Sequence, residues 1–492
     1  MAKRSPVLPI ALAALACLAL PLASVKGAAP VRAQATEQII SYVPINSQVF
    51  VKPQVVATWA AQHNEAAVRA HAAALWSGLT ALTNQSLRGV PLAVFDTWFT
   101  PCDIYPVTKG CGQGIISKPT LFEVPEQFFH LPRLDPANVF SSVKYDEGMK
   151  HFVEVGYGGA PYTTGAGLVN AINAGQKNLI DTAKPSSMML KPTYELLSST
   201  KPTAIMYWKG PALTVPPGST TSPQVPASDS WLQVVLVDPT GKATNAKPIT
   251  YCANVYDESG TIVRHGMHTA AGGSYKVIPL SEFYAIPLTS AGVQSLQNVR
   301  AQFRARQTSL LSGRFGALAQ NADPGCPTVN VEKPVAALMG MHVASAELHN
   351  VWTWQTFWWQ PFVSAVPGAK GPFRHFDFAT AYWKTNNGPH DYRYAFNPYL
   401  EAVFGTSTFL TTKWTTSGAG SVTNLGRTTN CISCHETATY TIPANPSIAP
   451  GYVAHGSQPQ IPTQNSILTR NLWSLADRAG HPTPPPAPSA SP

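Results

Sequence analysis

Trp352-Thr353-Trp354-Gln355-Thr356-Phe357-Trp358-Trp359 lies in the most aromatic segment of this 492-residue chain. Trp352, Trp354, Thr356 and Trp358 share one parity, the pattern of a single β-strand face, because successive strand residues point to opposite sides. Upstream runs Val335-Ala336-Ala337-Leu338-Met339-Gly340-Met341-His342-Val343-Ala344-Ser345, an apolar stretch holding one histidine. A polar side chain in such surroundings needs a purpose or a partner, since burying it unbonded costs free energy.

Working outward, residues 204–208, 232–237, 250–256 and 275–279 are β-rich and separated by turn clusters such as Pro239-Thr240-Gly241. Residues 55–84 are Ala-rich and carry apolar residues at helical density, which predicts one helix with His63 and His71 as ordinary surface or groove residues. A second helix is expected over 289–307, with Thr289 or Ser290 as its N-cap. Between about 85 and 185 the chain is rich in Pro and Gly, with short aromatic runs at 94–99 and 152–157. From Pro482 onward a Pro/Ala/Ser tail has nothing with which to build a core. The expected fold class is α+β: a loop-rich globular protein with short β-strands and a few helices.

Composition agrees with this. Apolar residues make up 44 %, charged residues only 12 %, and there are 45 prolines and 35 glycines. A coiled coil, a helical repeat array and a charge-driven disordered chain are excluded. No basic run or nucleic-acid module is present, so no nucleic-acid partner is expected. Gly156 to Gly159 lacks the third glycine of a dinucleotide fingerprint, and Thr240-Gly241-Lys242 lacks the upstream glycine of a phosphate loop.

The one long apolar run, residues 7–23, follows Lys3 and Arg4 and precedes Ala33-Gln34-Ala35. That order predicts a signal peptide over residues 1–35, cleaved after Ala35, with no stable membrane insertion afterwards. The alternative is a retained anchor, for which the run is at the short limit. Cleavage removes Lys3, Arg4, Lys26 and Arg32 and no acid, so 34 basic residues less four leaves 30 against 25 acidic, a net +5. Such a small excess argues weakly at best for an acidic partner.

Without Cys17, six cysteines are left: Cys102, Cys111, Cys252, Cys326, Cys431 and Cys434. Two of them belong to Cys431-Ile432-Ser433-Cys434-His435, the spacing of covalent haem attachment. Two thiols three residues apart fall on one side of a helical turn and both reach the haem vinyl groups, while the adjacent imidazole turns to the iron. The Cys and His content predicts roughly 0.003 chance occurrences of this pattern. A zinc site needs a second ligand pair at close spacing, and no other C-x-x-C is present. One motif implies one covalent haem c, tethered by Cys431 and Cys434, with His435 as proximal iron ligand. In an oxidising compartment the other four cysteines are expected to pair. Cys102 with Cys111 closes a short loop and leaves Cys252 with Cys326; buried free thiols are the alternative.

Small cytochromes c place a ligand methionine downstream of the haem motif. Here the last methionine is Met341, about ninety residues upstream of it. Downstream, only His455 and His481 are available; upstream candidates are Met339, Met341, His342, His349, His265, Met267 and His268. His342 is the first choice for the distal ligand and Met341 the runner-up. Gly340 beside them permits close approach, and the tryptophans nearby can exclude solvent. A core histidine with core methionines is the competing account, and an open or water-bound sixth position is another.

The chain resembles a group of exported bacterial mono-haem c-type cytochromes of several hundred residues and uncharacterised role. These carry C-x-x-C-H toward the C-terminus, preceded by G-x-H-[VI] and W-x-W-x-T-F. Gly340-Met341-His342-Val343 and Trp352-Thr353-Trp354-Gln355-Thr356-Phe357 match that pattern, and Phe95-Asp96-Thr97-Trp98-Phe99-Thr100 looks like a further block. Trp358 departs from it, standing where an acid or histidine usually follows T-F. The resemblance implies haem and a periplasmic location but no substrate.

The expected organisation is a signal peptide over 1–35, an N-terminal α+β region over 36–330, a haem-binding region over 331–480 and a disordered Pro-rich tail over 481–492. The haem is expected near the C-terminal end, held between the C-terminal segment and residues 335–360. The favoured function is electron transfer with a redox partner protein. The competing functions are a peroxidase-like haem oxidoreductase with an open distal site, in which His342 acts as acid and base, and a haem-based sensor. The length favours more than a bare carrier, which needs only about a hundred residues.

Overall fold

The computed structural model describes residues 40–105, 139–156, 158–163, 166–168, 183–207, 233–252, 255–256, 262–264, 267–289, 293, 331–348, 352–362, 366–382, 397, 399, 412–416, 419–424, 439–441 and 466–468. These residues form both helices and sheets, so the chain is α+β.

The Ala-rich segment forms two helices rather than one, α1 (Pro53–Ala61) and α2 (Glu65–Leu79). The cause is Asn64, whose side chain accepts the Ala67 N–H at 3.1 Å and starts a new helix. His63 before it takes a φ of 50°. The hairpin β1 (Leu82–Leu87) and β2 (Val90–Ala93) leads to a 3-10 turn, Val94–Thr97, and the short helix α3 (Pro101–Ile104).

Strands β3 (Val139–Ser141) and β4 (Lys144–Tyr145) precede α4 (Glu147–Val155), a helix set inside the Pro/Gly-rich region. Asp146 caps α4 by accepting the Met149 N–H at 2.7 Å. Gly156 ends it at φ +61°, where a Cβ would lie 1.8 Å from the Ala160 carbonyl oxygen.

Next come β5 (Met188–Ser198), β6 (Thr203–Tyr207), β7 (Gln233–Asp238), β8 (Ile249–Cys252), β9 (Val255–Tyr256), β10 (Ile262–Arg264), β11 (Met267–Ala270), β12 (Lys276–Pro279) and β13 (Ala285–Pro287). The strand expected over 250–256 is thus divided between β8 and β9. β6, β7 and β12 form one small sheet, and β8 pairs with β11. The helix expected over 289–307 falls almost wholly outside the described residues.

The aromatic segment forms two long strands, β14 (Pro334–Ser345) and β15 (Thr353–Trp359), followed by β16 (Phe376–Ala381). Trp352 is not part of the strand face expected of it. Its N–H bonds to the Leu348 carbonyl at 2.9 Å and its φ is 59°, so it closes the turn before β15. The pairs β17 (Thr412–Thr416) with β18 (Ala419–Asn424), and β19 (Thr439–Thr441) with β20 (Ser466–Leu468), complete the elements.

The central sheet has seven strands, in the order β16-β15-β14-β5-β3, with β13 also on β14 and β4 also on β5. It joins residues on both sides of position 330. A bulge at Met339 shifts the β14–β5 register between Leu338 and Gly340. One face, carrying Met341, Phe357 and Phe378 in a row, packs under α2. There Trp76 stacks on Phe357 at 4.2 Å and meets Phe376 at 4.8 Å. The tight aromatic packing explains why α2 buries Val68, Ala72, Leu75, Trp76 and Leu79 along one side.

Candidate functional site

Strand alternation puts Met341 and His342 on opposite faces of the sheet. Met341 is fully buried on the α2 side, beside Phe357. His342 lies on the other face, in a row that runs Lys191, His342, Thr356, Ala379 across four strands. Trp354 and Trp358 flank Thr356 along β15 and are buried, as is His342 at 8 % exposure. The two tryptophans therefore wall the imidazole row on both sides.

Gly340 stands one row from His342 on the same face. A Cβ there would lie 2.9 Å from the Asn397 side-chain oxygen, so glycine makes the seat for this carboxamide. Asn397 donates to Thr356 Oγ1 at 2.9 Å and to the Phe357 carbonyl at 2.7 Å. Tyr399 donates from its hydroxyl to the Trp359 carbonyl at 3.1 Å. The close approach expected at Gly340 is thus made by Asn397.

The face carrying His342 holds Lys191, Glu195 and Asp377, while Lys144 of β4, which pairs with Leu190, lies on the other face. Thr193 and Glu195 follow Lys191 on the same side of β5, and Asp377 pairs with Trp358 on β16. Burial pushes the Glu195 carboxyl up to about 8, and among the described residues no partner offsets it. Asp377 is raised as well, by desolvation that the Phe378 N–H and the Arg69 charge offset only in part.

Cys431, Cys434 and His435 lie outside the described residues, as do His349, His455 and His481, and so do Cys111 and Cys326, one member of each expected disulfide. Met267 and His268 sit on β11, away from the central sheet, with Met267 exposed. Met339 is buried in the bulge. Among the described residues no three His, Cys, Asp or Glu side chains gather as a metal site, and no helix is long and apolar enough to cross a membrane. A haem c would find in this face one buried imidazole as axial donor, tryptophan walls and a nearby ammonium, a donor set whose chemistry fits that group.

Comparison with known protein families, curated proteins and solved structures finds no match.

Three clusters escape a reading of the sequence. His71 is buried, contrary to the expectation of a surface or groove residue, because it anchors a network. Its Nε2 is 3.3 Å from Glu347 Oε2, and its Nδ1 is 2.8 Å from the Tyr382 hydroxyl. Glu347 also accepts from Ser345 Oγ at 2.5 Å and from the Val51 N–H at 2.7 Å.

His375 and Arg374 both bind Glu282, with His375 Nε2 at 2.7 Å and Arg374 Nη2 at 2.6 Å. The His375 ring packs on Trp359, which belongs to the α2 side of the sheet. This Arg–His pair is therefore not on the face of His342.

The third cluster is centred on Asp96, in the block Phe95-Asp96-Thr97-Trp98. Its carboxylate is fully buried and accepts from the hydroxyls of Tyr284 and Tyr194. Lys144 Nζ, also buried, donates to the Asp96 and Trp98 carbonyls at 3.3 and 3.4 Å. Desolvation wins over these bonds and raises the Asp96 carboxyl to about 6. A carboxyl raised on folding stabilises most below its unfolded value, and that contribution is lost as pH climbs from about 4 through about 6. Two units correspond to about 3 kcal/mol. Asp96→Asn should remove this component. In urea unfolding, the stability of wild type relative to Asp96→Asn should fall between about pH 4 and pH 7. A pH-independent difference would show that Asp96 does not titrate in this window.

Proposed function

We propose that the protein is an exported, periplasmic c-type cytochrome that holds one covalent haem c and transfers electrons to or from a redox partner protein. The observation that carries this reading is Cys431-Ile432-Ser433-Cys434-His435, in a chain that opens with a signal-like segment. Cys431 and Cys434 form the thioether tethers and His435 is the proximal ligand. The haem supplies reversible one-electron chemistry.

His342 is assigned as the distal ligand. It is the imidazole on the polar face of the central sheet, flanked by Trp354 and Trp358, which exclude water from it. Met341, the runner-up, is turned into the α2 core, and bringing its sulfur to an iron would require unpacking Trp76 and Phe357. A peroxidase-like reaction calls for an acid/base pair beside the iron. Among the described residues the adjacent Arg374 and His375 are committed to Glu282 on the opposite side, which favours electron transfer.

The optical spectrum of the purified holoprotein tests this. Wild type is expected to be six-coordinate and low-spin, without a sulfur-to-iron band. His342→Ala should turn high-spin and admit small exogenous ligands to the iron. Met341→Ala should leave the spectrum alone while costing about 2–5 kcal/mol of stability as a core truncation. A spectrum altered by Met341→Ala and unaffected by His342→Ala would reverse the assignment.

A further inference from the structure

We propose that Glu195 is a proton-loading site coupled to the haem: it takes up a proton from solvent as the haem gains an electron from a one-electron donor protein, and returns it as the electron leaves. This rests on the cytochrome reading above and extends it to the regulation of the same site.

The argument starts from how unevenly the central sheet is sealed. Every residue of β14 and β15 is buried. In β5 and β16 only Lys191, Glu195 and Asp377 keep partial exposure. Strand alternation puts all three on the face that carries His342, while the other face is closed by α2 and its aromatic contacts. The partly exposed charges of β5 and β16 therefore lie on the side assigned to the iron, whereas the buried Lys144 of β4 lies on the other.

Glu195 is the carboxyl there with the least to hold its charge. Across β5 it faces Val139 of β3 on one side and Ala337 of β14 on the other, neither of them polar. The neighbouring hydroxyls of Ser141 and Thr193 are bonded to each other at 2.7 Å. On its own strand and face the next charged group is Lys191, four residues away and about 13 Å along the strand, with His342 beside it. Asp377 lies farther, beyond β14 and β15, with the charge of Arg69 near it. Among the described residues no donor or cation engages the Glu195 carboxylate. Such a group changes charge near neutral pH and feels a change in charge across a poorly screened interior.

The sign follows from linkage. Reduction removes one positive charge at the iron, so the proton affinity of Glu195 rises. By reciprocity, a protonated Glu195 raises the midpoint potential. Electron and proton arrive together and the carboxyl stays neutral in the reduced state.

The experiment is an equilibrium redox titration of holoprotein from about pH 6 to about pH 10, the range that brackets the Glu195 carboxyl. The wild-type midpoint potential should fall as pH rises through this range. Glu195→Gln, always neutral, should hold the low-pH potential throughout, and Glu195→Asp should keep the dependence but shift the pH at which it breaks. The reduced-minus-oxidised infrared spectrum of wild type should show a protonated carboxyl band that is lost in Glu195→Gln. A wild-type potential flat with pH, or the same dependence in Glu195→Gln, would overturn the proposal while leaving the cytochrome reading intact. Absence of covalent haem stain in the wild-type sample would instead overturn the cytochrome reading itself.

Discussion

Cys431→Ser combined with Cys434→Ser is expected to abolish covalent haem. Wild-type protein matured with the c-type haem attachment machinery should keep its haem stain through a denaturing gel, because thioether bonds survive unfolding. The double variant should show none, and each single variant a reduced signal from one remaining bond. The double variant loses the whole signal because both tethers come from one five-residue motif. The comparison also separates attachment from ligation: His435→Ala keeps both thiols, so loss of stain need not follow, but its iron should lose the proximal imidazole and its low-spin spectrum. Stain persisting in the double serine variant would show that the haem is attached elsewhere or not by these thiols.

The largest loss of stability is expected at Glu347. Its carboxylate holds His71, Ser345 and the Val51 N–H together, and both side chains of the His–Glu pair are 1 % exposed. Glu347→Ala leaves the buried His71 Nε2 and the half-buried Val51 N–H without their acceptor, while the Ser345 hydroxyl keeps Thr353 Oγ1 at 2.7 Å. Removing one partner from a buried pair costs about 3–5 kcal/mol. His71→Ala should cost less, since Glu347 keeps two donors. The double variant Glu347→Leu with His71→Leu should recover part of the loss, because it removes both polar groups and refills the space. Urea unfolding midpoints measure all four proteins. Glu347→Ala within about 1 kcal/mol of wild type would show that the pair contributes little beyond packing.

Much of the site region can be read locally, and the reasons are physical. Trp354, Thr356 and Trp358 declare a strand face because side chains repeat every second residue. The Cys431–His435 spacing stands out locally because two thiols and an adjacent imidazole at that spacing are the pattern that covalent haem attachment requires. Helix interiors at 53–79 are visible in the alanine content, but the division into two helices hangs on the side chain of Asn64 alone. α4 was hidden by the prolines and glycines around it, although Asp146 before it and Gly156 after it are the ordinary signals of a start and a stop.

What escaped the sequence is non-local. His71 meets Glu347 across 276 positions and His375 meets Glu282 across 93, and no periodicity links residues so far apart. The opposite orientation of Met341 and His342 follows from adjacency in a strand, but which of them faces α2 depends on the pairing of β14 with β5 and β15. Glu195 and Lys191 likewise gain their place from that pairing rather than from any motif around them.

The position of β14 has a consequence for how the chain reaches its fold. β5 is complete once Ser198 has been made, yet its long partner begins only at Pro334 and ends at Ser345. Until then β5 presents an open edge of unpaired N–H and C=O groups flanked by apolar residues, a template for association with other chains. Closing that contact joins segments far apart in sequence, so the sheet should assemble late and slowly. A chain cut before Pro334 should therefore aggregate or be degraded rather than persist as a folded N-terminal half.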